Sequence, residues 1–80
     1  MPTSEEMIAR SPAALGGAIR AARQGQGLTQ SELAERARTN RFSIAQAESG
    51  ASTKAIENLF ETLAALELEL VVRPRQSWKA

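Results

Sequence analysis

Residues 27–50, GLTQSELAERARTNRFSIAQAESG, leave this chain few choices of local structure. Thr29 followed three residues later by Glu32 has the spacing of a capping box, in which each side chain closes the other's open backbone amide. Leu33, Ala34 and Ala37 then fall on one helical face. Thr39 or Asn40 can cap a second helix from about Arg41 to Ser49, with Ile44 and Ala47 turned inward and Gly50 as the stop. Two short helices joined by so tight a turn form a defined supersecondary unit.

The outward face of the second helix carries Asn40, Arg41, Phe42, Ser43 and Gln46. Arg, Asn and Gln are the side chains that grip base edges with two hydrogen bonds, and Phe can touch a thymine methyl. In a helix-turn-helix such a helix lies in the major groove of DNA. The competing reading is an ordinary solvated face on a small helical bundle, and these residues alone leave both open.

GLTQSELA, a turn, and SIAQAESG together resemble the phage-repressor type of helix-turn-helix, the Xre/Cro family. The resemblance runs from Leu15 to Leu66. It implies that Gln30, opening the first helix of the pair, holds a phosphate. It also implies that Asn40, Arg41 and Phe42 meet bases, with Ala45 and Gln46 one turn later; Thr29 and Ser43 join the expected phosphate set. One position departs from the pattern. The family usually has Gly where this chain has Arg38, and a left-handed Arg there would store strain on the order of 1 kcal/mol. In the same family the Arg at the spacing of Arg23 pairs with the Glu near the end of the recognition helix, here Glu48. Arg23 and Glu48 are therefore expected to be a structural ion pair rather than DNA contacts.

Eighty residues make one small domain, near the size at which a lone core is marginal. The chain has no Cys and no His, so disulfides and Cys/His metal sites are excluded, which suits a reducing cytoplasm. It also lacks Asp, which removes most nucleophile–base pairs, and no enzyme site or cofactor is expected. No apolar run approaches a membrane span and no signal peptide is visible. The net charge of +1 hides a division: Arg10 to Lys54 holds seven basic and three acidic residues, and the rest holds three basic and six acidic. The basic part coincides with the two-helix unit, the distribution that nucleic-acid binding needs.

Residues 1–10 read as a loose arm or a short helix. Ser11-Pro12 starts a helix, with Leu15, Ala18, Ile19 and Ala22 as its buried stripe. Gly16 and Gly17 weaken it by roughly 1 kcal/mol each relative to Ala, unless they permit a close helix contact. Arg20 is a candidate phosphate contact or a plain surface cation. Ser52, Thr53 and Lys54 open a further helix and form a candidate phosphate clamp, with simple capping as the alternative. Its expected core stripe is Ile56, Leu59, Phe60, Leu63 and Leu66. In LELELVVR, Leu66, Leu68, Leu70 and Val72 alternate with polar residues and Val71, the pattern of a strand, although a helix extension is the alternative. Nothing else reads as a strand, so this one is expected to pair with its own copy, bringing Glu67 or Glu69 near the mate's Arg73. Trp78, the only Trp, stands in a polar tail.

The expected fold is thus all-α: a lambda-repressor-like helix-turn-helix bundle of four to five helices, with a C-terminal strand pairing across a homodimer. The expected segments are a loose arm at 1–10, the DNA-binding domain at 11–66, a dimerising strand at 67–73 and a flexible tail at 74–80. SPAALGGAIRAARQGQGLTQSELA and the ending ETLAALELELVV are similar to the HipB antitoxins. That resemblance implies a dimeric repressor of a palindromic operator that also restrains a HipA-like Ser/Thr kinase toxin, with Trp78 a candidate toxin contact. A stand-alone repressor without a toxin, and an interaction module that no longer binds DNA, are the rival readings; no membrane and no small-molecule substrate are expected.

Overall fold

The structure, a computed structural model, describes residues 6–75. Along the chain come β1 (Met7–Ala9), α1 (Pro12–Gly25), α2 (Gln30–Arg36), α3 (Arg41–Ser49), α4 (Lys54–Ala65) and β2 (Leu70–Val72).

Each helix begins on a short polar side chain that accepts from the third amide of its first turn. Ser11 accepts from Ala14 N at 3.1 Å, Thr29 from Glu32 N at 3.0 Å, Asn40 from Ser43 N at 2.8 Å and Thr53 from Ile56 N at 3.3 Å. The capping box is complete, because Glu32 Oε1 accepts in return from Thr29 N at 2.8 Å. Each helix also ends in one way: a residue turns left-handed and the next amide reaches back five residues. The left-handed residues are Gly27, Arg38, Gly50 and Glu67, at φ of 71°, 59°, 83° and 58°. The amides that follow them, on Leu28, Thr39, Ala51 and Leu68, donate to Arg23 O, Ala34 O, Gln46 O and Leu63 O.

β1 and β2 form a two-stranded antiparallel sheet with Met7 opposite Val72, Ile8 opposite Val71 and Ala9 opposite Leu70. This corrects two expectations. Residues 7–9 are not a loose arm, and the C-terminal strand has a partner in its own chain. Three apolar residues are too few to show a period, so β1 gave no strand signal, yet they match LVV in length and hydrophobicity. The strand is also shorter than 67–73: Leu66 caps α4, Glu67 turns left-handed, and Leu68 lies in the connection. Arg10 Nε donates to Glu69 Oε1 at 2.7 Å at one end of the sheet, and Arg73 lies 3.9 Å from Glu6 at the other. The acids and arginines therefore pair within the chain.

The core is small. Among the described residues the buried apolar side chains are Ala9, Ala18, Ala34, Ile44 and Phe60. Of the expected α4 stripe only Phe60 is buried; Leu63 is half-buried, while Leu59 is 46% and Leu66 63% exposed. Ala22, expected in the α1 stripe, is exposed as well. α1 packs mainly on α3 and β1, and α2 on α3, so the helical pair is well seated whereas α4 covers only part of one flank.

Candidate nucleic-acid interface

The last turn of α3 is held by one carboxylate. Glu48, in its last turn, accepts from Arg23 Nε at 2.6 Å and Nη2 at 3.1 Å, and from Gln30 Nε2 at 3.2 Å. The third guanidinium nitrogen of Arg23 donates to Leu28 O at 2.7 Å, so one Arg joins α1, the loop before α2, and α3. The two side chains are 12% and 4% exposed. The hydrogen bond from Arg23 is the largest influence holding the Glu48 carboxyl below its usual pKa; desolvation opposes it, and Gln30 and the field of Arg20 assist. The same bond raises the pKa of Arg23. Glu32 is likewise held below the usual carboxylate range, chiefly by the Thr29 backbone amide. The expected Arg23–Glu48 pair is thus formed as a two-pronged contact, the strong geometry for a guanidinium and a carboxylate.

The start of α3 and the side carrying Phe42 and Gln46 are open. Asn40, Arg41, Phe42, Ser43 and Gln46 are all exposed, Phe42 by 69%, and Ala45 is half-buried behind them. Arg41 and Gln46 make no side-chain hydrogen bond among the described residues, so a five-donor fork and an amide keep their donors unspent there. Asn40 is committed differently: its Oδ1 holds the cap of α3, leaving the amide N–H groups as its free donors. Asn40 and Arg41 line a shallow depression with Ser31, Glu32 and Glu35 of α2. The two acids beside Arg41 gave no signal in the linear sequence, because only the turn brings α2 alongside the start of α3.

The expected phosphate set falls into two groups. Arg20, Thr29, Ser43, Thr53 and Lys54 are exposed; Gln30 and Ser52 are half-buried. Gln30 spends one amide proton on Glu48 and keeps a second, so the ion pair also orients this side chain. Ser52 Oγ donates to Glu57 Oε2 at 3.3 Å, and Thr53 is the cap, so in this clamp Lys54 is the uncommitted group. Trp78 lies outside the described residues. Among those residues no cluster of acidic side chains is arranged to hold a metal, and no helix is long and apolar enough to cross a membrane.

A family model described as helix-turn-helix matches residues 19–72, from Ile19 in α1 to Val72 in β2, well over half of the chain. No curated protein and no solved structure matched.

Proposed function

The chain belongs to the helix-turn-helix family of DNA-binding regulators, and from that premise we propose that it is a sequence-specific repressor that binds a palindromic operator as a homodimer and serves as the antitoxin of a HipA-like Ser/Thr kinase. The observation that carries the DNA-reading part is the contrast within α3. Its last turn is locked through Glu48, whereas its first turn and the side carrying Phe42 and Gln46 present Arg41, Phe42 and Gln46 without internal partners among the described residues. Side chains held on a rigid helix and left unpaired are what base readout requires.

Support for the dimer comes from what the monomer leaves uncovered. Among the described residues, three of the five buried side chains are Ala. Ile8 and Val71 face each other across the sheet yet stay about half exposed, and Leu59, Leu66 and Leu68 are exposed nearby in sequence. A second copy covering these apolar residues would supply the core that one copy lacks. The expected route of Leu66, Leu68, Leu70 and Val72 forming a strand pair between copies is thereby modified. Leu70 and Val72 pair with β1 along one edge of β2, so its other edge, the outer sheet face and α4 are the surfaces left for the mate. The kinase partner rests on the resemblance to HipB antitoxins and on the acidic residues Glu57, Glu61 and Glu67, which DNA would repel.

Titration against duplexes tests the reading. The chain should prefer DNA from upstream of its own gene over a scrambled duplex, and Arg41→Ala should lose about 1–3 kcal/mol of that preference. Lys54→Ala should weaken both duplexes alike and flatten the salt dependence. Wild type binding both duplexes equally would sink the repressor. No calorimetric signal with a kinase encoded beside it would leave the stand-alone repressor in place of the antitoxin.

A further inference from the structure

Gly16 and Gly17 stand side by side in α1, but their surroundings differ. A Cβ at Gly17 would meet nothing within 4 Å. A Cβ at Gly16 would stand 2.3 Å from Ala47 O and 2.8 Å from Glu48 O. Both carbonyls belong to the last turns of α3, and Gly16 is buried. The backbone of α1 therefore rests on the end of α3 at a range no side chain permits. A second close approach lies beside it: Gly50, the C-cap of α3, would place a Cβ 2.8 Å from Ala13 Cα. With Arg23 on Glu48, three residues of α1 grip one end of α3, while its other end, Asn40 to Phe42, is exposed.

We propose that Gly16 is a positioning residue that determines DNA specificity: its missing side chain sets the seat of α3 on α1, and so aims Arg41 and Gln46 at the bases without touching DNA itself. This rests on the DNA reading proposed above. Ordinary contact begins at 3.4 Å, so the smallest side chain would drive the two helices apart by about 1 Å. A base-edge hydrogen bond holds its atoms within about 2.7–3.2 Å and fails under such a displacement. Attraction to phosphates acts over roughly 8–10 Å at moderate salt and survives it. Gly16→Ala therefore costs sequence preference and spares general affinity for DNA.

The experiment starts by selecting the preferred duplex of the wild-type protein from a random pool. Wild type, Gly16→Ala and Gly17→Ala are then titrated by fluorescence anisotropy against that duplex and a scrambled one. Amide NMR spectra check that each variant is folded. Gly17→Ala should match wild type in preference. Gly16→Ala should lose roughly tenfold or more, the discrimination of one base contact. Its affinity for the scrambled duplex and its salt slope should hold to roughly twofold, because the phosphate contacts remain. Should Gly16→Ala not fold alone, the same measurement is made in the Gly17→Ala background, whose better helix former offsets the loss. A folded Gly16→Ala with wild-type preference would overturn the proposal, as would equal losses on both duplexes, the mark of a merely structural role. A wild-type protein that enriches no duplex would instead overturn the DNA reading on which the proposal stands.

Discussion

Arg38 offers a direct measure of strain in the turn between α2 and α3. Its φ is 59°, and the turn is closed by Arg38 N donating to Glu35 O at 3.2 Å and Thr39 N to Ala34 O at 2.9 Å. A left-handed residue with a Cβ costs about 1–2 kcal/mol. Glycine escapes that cost but gives the unfolded chain extra freedom worth about 0.4–1 kcal/mol. Comparing Arg38→Ala with Arg38→Gly cancels the loss of the guanidinium, since neither keeps it. The difference isolates the backbone and should favour Gly by about 0.8 kcal/mol, the middle of the range those two magnitudes allow. For a domain of this size 1 kcal/mol moves Tm by about 4–8 °C, so the Gly variant should melt about 3–6 °C above the Ala variant. Arg38→Asn should fall between them, because Asn tolerates the left-handed region. Circular dichroism melts at one fixed protein concentration make the measurement, the fixed concentration excluding any effect of self-association. An Ala variant that melts at or above the Gly variant would refute the reasoning, showing that the turn relaxes out of the left-handed conformation at no cost.

Glu48 should govern the acid limb of stability. Its pKa is below the usual 4.5, so its contribution is present above the unfolded value and is lost as pH falls through the folded one; Glu48→Gln should melt at a Tm that varies less with pH below about 4.5, and an unchanged acid limb would remove Glu48 as the cause. Phe60 is the one large aromatic in the core among the described residues, and Phe60→Ala should cost about 3–5 kcal/mol in urea denaturation. That is a large share of the roughly 4–12 kcal/mol expected of eighty residues, and a loss under about 1 kcal/mol would show that the domain does not depend on α4. Val71→Asp should yield a folded monomer by light scattering if the outer sheet face is the dimer contact; Leu70→Asp is the poorer probe, since Leu70 stands opposite the fully buried Ala9 and would disturb the monomer itself.

The helix starts were open to reading because a cap is a local event: Ser11, Thr29, Asn40 and Thr53 act within three residues of themselves. The stops were half legible. Gly27 and Gly50 announce a left-handed residue, whereas Arg38 and Glu67 adopt the same conformation without announcing it. Only the resemblance to the Xre/Cro pattern, which has Gly at that position, points to Arg38. Glu67 gave no such cue, and so the alternation in LELELVVR looked like one long strand when a helix stop interrupts it. The missing partner strand was a failure of length, since three residues carry no period. The overestimated α4 stripe was a failure of context: helical spacing says which residues share a face, not whether anything covers that face. In the site, the Arg23–Glu48 pair came from family pattern. The tie of Gln30 to the same carboxylate, and the contact at Gly16, depend on distances that no linear spacing contains.

The pairing of β1 with β2 also sets an order of events. The helices form from contacts close in sequence, and a helix turn closes in well under a microsecond. The sheet can close only by bringing Ala9 to Leu70, with the whole of residues 10–69 as its loop. Closing so long a loop carries an entropy cost that short turns avoid, and a two-stranded sheet is marginal by itself. The strands should therefore zip last, onto a helical unit already in place, and unzip first. In native-state hydrogen exchange the amides of Met7–Ala9 and Leu70–Val72 should open together at a lower free energy than those at the centre of α3. Such an opening would release both strand edges while leaving α3 seated on α1, so that the sheet and the α1–α3 contact draw on separate stores of stability.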